Sequence, residues 1–340
     1  MSANHIRSKV IKISGSLLLR YPRIFKNLLE FRSNSLRIVY YHMVSDRNHA
    51  YYFNDKSISV DQFVKQIGIL KKFFDVISLN EALMMLKSGQ PLFNKLVITF
   101  DDGFRECSTV VAPILLEESV TATFFLIGNC LNNNDLMWRN KLLILQNNSI
   151  SRGVIDNISC AFNLERIKKN ESIMNWSKLW PMHLKECISN ALWSESGAYP
   201  LKSFLDDYKP YMSDKQVKEL VSNGFEIGSH SMTHPFFSKL NYEQFYMEIL
   251  DSITLLEDRY NTNVQTFSYP FGDRSNNLEF ESRFINEFDG VKLFLGTRNS
   301  LNNYQKYSFW SRDNLEFNNN EAIFRLSILP IARYLQSKIS

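Results

Sequence analysis

Short apolar runs alternate with longer stretches of helical periodicity along most of this chain. Six runs read as strands: 36–41 (LRIVYY), 96–100 (LVITF), 122–127 (ATFFLI), 225–229 (FEIGS), 265–269 (QTFSY) and 292–295 (KLFL). All are brief and rich in β-branched or aromatic residues. Between many of them, apolar positions recur every three or four residues. Ser59 and Gln62 form a capping-box signature ahead of Phe63, Ile67, Leu70 and Phe74. Asn241 and Gln244 repeat it ahead of Phe245, Ile249, Leu256 and Tyr260. Strands alternating with helices predict an α/β fold with a mainly parallel sheet, open or closed into a barrel. In such folds the functional groups gather at the C-terminal ends of the strands.

The rhythm breaks between about 132 and 211. This stretch is rich in Asn, Ser, Lys and Trp, and its helical patterning (136–145 and 182–192) lacks intervening strands, so it reads as a mostly helical insertion. Asn132–Asn134 and Asn318–Asn320 read as loops. The remaining division is between a basic segment, 1–35, and the body, 36–340.

Composition narrows the function classes. The chain has 340 residues, a formal charge of +4 and 14% aromatic residues. That aromatic share suits a large core or a sugar-binding cleft, and the charge is too small to argue for nucleic acid. The basic residues are concentrated at the start: Arg7, Lys9, Lys12, Arg20, Arg23, Lys26 and Arg32 stand against Glu30 alone. Segment 6–29 fits two readings, a packing helix with a solvated basic face or a basic amphipathic helix in peripheral contact with an anionic membrane. Its apolar run Leu17–Leu19 is interrupted by Arg20 and Pro22, and no stretch approaches the roughly 20 apolar residues of a membrane span. Cytoplasmic residence, with membrane association through this segment as the variant, is the expectation. Cys107, Cys130, Cys160 and Cys187 lack zinc-ligand or redox spacing and read as free thiols in a reducing compartment.

The chemistry is concentrated in two clusters. Thr99-Phe100-Asp101-Asp102-Gly103 closes one strand-like run, and His230-Ser231-Met232-Thr233-His234 follows another. A divalent metal that activates water needs about three protein ligands and open positions. One carboxylate and two imidazoles supply that set. The spacing of His230 and His234 would aim both at one point from a single helical turn. Asp101 and Asp102 are adjacent, so their side chains diverge in extended backbone. One would ligate the metal and the other take a proton from the attacking water.

These motifs resemble the polysaccharide deacetylase family (carbohydrate esterase family 4). Thr99–Gly103 is similar to the family's Thr-Phe-Asp-Asp-Gly motif and His230–His234 to its His-x-x-x-His motif, while Phe267–Gly272 is similar to its third. The resemblance covers roughly Leu36 to Phe317 outside the insertion. It implies a distorted (β/α) barrel with an open groove for a sugar chain. It implies Asp101 as general base, and Asp102, His230 and His234 as ligands of a divalent metal, usually zinc. The backbone N–H of Phe271 would help hold the oxyanion. The implied reaction is hydrolysis of an N-acetyl group on an N-acetylhexosamine.

Two positions depart from the pattern. Where many members carry a base-tuning Arg in the third motif, this chain has Ser268, and no His follows His234 to supply the usual late general acid. His42, at the end of the first strand-like run, is the candidate acid, and Tyr41-His42 is similar to a branch of the family that lacks the late His. A structural histidine is the alternative. Arg312 is the candidate substitute for the missing Arg, with an ion pair to Asp313 as the alternative. Tyr269 and Phe271 are expected to stack on sugar, and Trp138 is a candidate for the groove wall.

The expected function is therefore metal-dependent N-deacetylation of an N-acetylated polysaccharide or of a lipid-linked glycan precursor. Two alternatives remain: a deformylase acting on a lipid-linked amino sugar, and an inactive carbohydrate-binding protein on the same fold.

Overall fold

The computed structural model describes residues 36–52, 57–288, 290–297 and 309–327, with short pieces between 13 and 28. The expectations for Arg7, Lys9, Lys12, Lys26 and Arg32 fall outside the described residues.

Among the described residues, nine strands form one parallel sheet. They are β1 (Arg37–Tyr41), β2 (Asp75–Val76), β3 (Lys95–Phe100), β4 (Thr123–Leu126), β5 (Glu226–Ser229), β6 (Thr266–Ser268), β7 (Leu293–Gly296), β8 (Phe309–Ser311) and β9 (Asp313–Asn314). Their spatial order is β8-β7-β6-β5-β4-β3-β1-β9, with β2 added beside β3. Only Arg312 separates β8 from β9. One continuous segment therefore pairs first with β7 and then with β1, which draws the sheet into a barrel.

The six expected strands all form. The short β2 and the closing pair β8–β9 were not anticipated, because neither is long enough to carry a periodic signature.

Helices cover the barrel, as parallel crossovers require. They include α1 (Val60–Phe73), α2 (Leu79–Lys87) and α3 (Ala112–Glu117). Five more, α4 (Trp138–Asn147), α5 (Arg152–Ala161), α6 (Ile173–Trp176), α7 (Lys185–Glu195) and α8 (Leu201–Tyr208), fill the stretch after β4 that reads in the sequence as the insertion. The last three are α9 (Asp214–Ser222), α10 (Tyr242–Tyr260) and α11 (Glu279–Glu287). Both expected capping boxes are present, at Ser59/Gln62 and Asn241/Gln244. A third, Ser213/Gln216, starts α9.

The main core joins strand residues such as Val39, Ile98, Phe100 and Phe124 to Phe63, Ile67, Phe245 and Ile249 of α1 and α10. Each fully buried side chain of this kind contributes about 1.5–3 kcal/mol relative to exposure. The insertion has its own core around Trp138, Trp176, Trp180 and Trp193. It reaches the rest of the molecule through Met43, Tyr51, Phe104 and Tyr211.

Candidate active site

Strand register brings the polar groups together. Tyr41 of β1 pairs with Phe100 of β3, so His42 and Asp101 emerge side by side at the same end of the barrel. The Asp101 N–H donates to the Tyr41 carbonyl at 2.9 Å. Asp102 and Gly103 then adopt left-handed backbone, with φ of 69° and 71°. That turn sends the two adjacent carboxylates different ways. A Cβ at Gly103 would strain a φ of 71° and lie 2.9 Å from Leu126 Cδ2, which would have to shift, so glycine suits this turn.

Asp102, His230 and His234 converge. Each imidazole Nε2 lies 3.3 Å from Asp102 Oδ1, and the two Nε2 atoms are 3.2 Å apart. His230 Nδ1 lies 2.8 Å from the Ser268 carbonyl, which can only accept, so Nδ1 carries a proton and Nε2 is the nitrogen turned to Asp102. Burial pulls the His234 pKa down to about 4, against the opposing pull of Asp102, so that ring is neutral at pH 7. Asp102 Oδ1 is buried and receives no hydrogen bond. Two imidazole nitrogens and a carboxylate oxygen crowded together in a buried site repel one another unless a cation sits between them. The donor set therefore fits a divalent metal. No other such group of His, Cys, Asp and Glu is found among the described residues.

The histidines do not sit on a helical turn, as their spacing had suggested. Residues 230–234 form a loop, and Ser231 and His234 have φ of 67° and 57°. The His234 N–H donates to Ser231 Oγ at 2.9 Å. Trp138 of the insertion donates its indole N–H to the His234 carbonyl, also at 2.9 Å. Lys185 Nζ, again from the insertion, donates to Thr233 Oγ1 at 2.5 Å. A helix would have placed the rings by periodicity; here the loop is held by cross-links. Trp138, expected on the groove wall, is wholly buried and supports this loop instead.

Asp101 is clasped by Arg312. Nη1 lies 2.8 Å from Oδ1 and Nη2 lies 2.7 Å from Oδ2, a bidentate pair with both side chains buried. Nη1 also donates to Thr99 Oγ1 at 3.0 Å and Nη2 to Ser268 Oγ at 2.6 Å. Burial alone would raise the Asp101 pKa, but the Arg312 guanidinium, together with His230 and His42, outweighs it and holds the group below the usual carboxylate range. The expected alternative, a pair with Asp313, is not what engages this guanidinium.

His42 is paired with Glu316, which the sequence reading had not singled out. Nδ1 lies 2.7 Å from Glu316 Oε2. Oε1 accepts the backbone N–H groups of His42 and Met43 at 2.5 and 3.0 Å. Burial pulls the His42 pKa down, but the Glu316 charge and hydrogen bond, helped by Asp102 and Asp101, lift it to about 9. The imidazole is charged at neutral pH.

Phe271 stands at φ 58° in the turn after β6, with its ring 4.4 Å from that of His234 and 40% exposed. The expectation for Tyr269 is corrected. Its ring is fully buried against Phe237, Phe267 and Phe294, and its hydroxyl donates to Glu281 Oε1 at 2.7 Å. It points into the core because strand side chains alternate, and it cannot meet a sugar.

The family model described as polysaccharide deacetylase matches residues 89–285, more than half of the chain. The chain belongs to the polysaccharide deacetylase family. Three solved structures share the fold. The Streptococcus pyogenes deacetylase PplD, in complex with acetate, has TM-score 0.54 and 17% identity over 87% of this chain and 97% of that one. IcaB from Ammonifex degensii has TM-score 0.52 and 15% identity over 83% and 92%. The de-N-acetylase from Aggregatibacter actinomycetemcomitans has TM-score 0.52 and 14% identity over 86% and 99%. Among curated proteins, none matches this sequence. This polysaccharide deacetylase is thus a hydrolase of a metal-dependent family, with an Asp-His-His group suited to a metal.

Proposed function

We infer that this deacetylase removes N-acetyl groups from N-acetylhexosamine units of a polysaccharide or of its lipid-linked precursor. The observation that carries the reading is the pair of proton-handling groups on adjacent strands. Asp101 is kept ionised by Arg312 and is suited to accept a proton from the attacking water. His42 is kept protonated by Glu316 and is suited to donate one to the departing amine. Asp102, His230 and His234 would hold a divalent cation, zinc by the family's usage. When bound it would polarise the amide carbonyl as a Lewis acid. Phe271 would border the substrate, with its backbone N–H assigned to the oxyanion.

Peripheral membrane contact belongs to the same reading. In the N-terminal segment Leu18 packs into the main core, while Ile13, Leu17, Tyr21 and Ile24 are exposed. Arg20 and Arg23 are exposed among them. An apolar stripe flanked by cations suits an anionic bilayer surface. No helix among the described residues is long and apolar enough to cross a membrane.

The test is acyl release from N-acetylglucosamine oligomers by the zinc-loaded protein, with acetate and formate assayed separately. Acetate release that disappears in Asp101→Asn supports the reading. Formate release alone, from an N-formyl substrate, replaces it with the deformylase. Sugar binding without either product makes the protein an inactive binder.

A further inference from the structure

The insertion carries a cation that meets no carboxylate among the described residues. Arg139, in the first turn of α4, is half-buried, with its Cζ 5.7, 5.6 and 5.2 Å from the rings of Trp138, Phe236 and Phe271. Four other enclosed cations among the described residues face carboxylates. Arg312 meets Asp101, Arg274 meets Glu281, Lys141 meets Asp135, and Lys185 lies near Glu186 and Glu248. No carboxylate lies within ion-pair distance of Arg139 among the described residues. Burial accordingly depresses its pKa with no opposing charge. Stacking on aromatic faces returns about 0.5–2 kcal/mol, less than the several kcal/mol needed to desolvate an ion. A charge held in this state is available to an incoming anion.

Its position says which anion. Phe271, one of the rings beside Arg139, also lies 4.4 Å from the ring of His234 and is 40% exposed. Arg139 is therefore one aromatic ring away from the metal-binding group. We propose that Arg139 binds an anionic group, phosphate or carboxylate, on the sugar chain next to the acylated amine. The substrate is then an acidic glycan. This rests on the deacetylase reading and narrows it. Both anion types present paired oxygens to a planar guanidinium.

Two substrate pairs test it. One compares N-acetylglucosamine 1-phosphate with methyl N-acetylglucosaminide. The other compares an N-acetylglucosaminyl-glucuronic acid disaccharide with its neutral glucose counterpart. The reading is the ratio of kcat/KM, anionic to neutral, in wild type, Arg139→Lys and Arg139→Gln. A wild-type ratio of about tenfold or more in one pair is expected, partly kept by the Lys variant and falling to near one in the Gln variant. The favoured pair identifies the anion. A ratio near one in wild type for both pairs overturns the proposal, as does a ratio unchanged in Arg139→Gln. Calorimetric binding of the same four sugars to the metal-free protein separates the two layers. Turnover of neutral sugars without anion preference rejects the Arg139 assignment alone. Anion-selective binding that depends on Arg139, in a protein with no turnover, rejects the deacetylase reading alone.

Discussion

Arg312 Nη2 lies 2.7 Å from Asp101 Oδ2 across the inside of the barrel, although the two residues are 211 apart in sequence. The contact follows from how the barrel closes. Arg312 is the joint at which the last segment leaves β7 and joins β1, and its own N–H still donates to the Gly296 carbonyl of β7 at 2.8 Å. Its guanidinium lies against the small side chain of Ser268, the position that many relatives are expected to fill with Arg.

Removing that guanidinium should disturb Asp101 before anything else. In Arg312→Met, the main opposition to burial is gone and the Asp101 pKa rises, so the acid limb of the kcat/KM profile moves to higher pH. A buried carboxylate that loses its partner costs about 3–5 kcal/mol, measurable by thermal or urea unfolding. Arg312→Lys should recover part of the stability but less of the pH profile, because it cannot make the bidentate pair. The linkage has a sign of its own. Asp101 has a depressed folded pKa, so its contribution to stability is present above the ordinary carboxylate value of 3.8 and is lost as pH falls through its folded pKa.

Glu316→Gln should lower the His42 pKa from about 9 toward or below its ordinary 6.5, since burial then acts against the charged ring. The basic limb of kcat/KM moves down in pH by the same amount. His42→Ala should cost about 10²- to 10⁴-fold in kcat. An unchanged rate rejects the acid assignment. A raised histidine pKa also stabilises the fold below about pH 6.5, and that contribution is lost as pH rises through about 9.

Trp138→Phe keeps most of the ring but deletes the donor to the His234 carbonyl. Loss of such a bond costs about 1 kcal/mol or more when the acceptor stays buried. Support of this kind for a ligand is worth about 10- to 100-fold in metal affinity. Zinc affinity measured by competition with a chelator should fall by that order, with far-ultraviolet circular dichroism unchanged. An affinity equal to wild type would show that the insertion does not hold the ligand loop.

Metal should also stabilise the protein. Zinc at about a thousand times its dissociation constant adds about 4 kcal/mol, seen as a rise in Tm that chelation reverses. His230→Ala should abolish the rise.

Much of the barrel was legible because each long strand carries a local signal, as Lys95–Phe100 does. The same holds for helices opened by Ser59/Gln62 and Asn241/Gln244, whose caps are local chemistry. The strands that close the barrel were not legible. Phe309–Ser311 and Asp313–Asn314 are too short to show a period, and their pairing with β7 and β1 is a long-range fact. The site divides the same way. Asp101, Asp102, His230 and His234 sit in compact motifs. Glu316 has no local mark, since only folding brings it to His42. Tyr269 misled because a motif fixes which residue is present and not which face of the strand it occupies. His230 and His234 misled in backbone only, because loop cross-links from Trp138 and Ser231 produce the convergence that helical spacing had seemed to require.

The most direct test of the central claim is anomalous diffraction at the zinc edge from zinc-loaded crystals. A single strong peak within bonding distance of Asp102, His230 and His234, with Asp101 beside it still clasped by Arg312, is the predicted result. A peak elsewhere, or a peak that survives Asp102→Ala and His230→Ala, would contradict it.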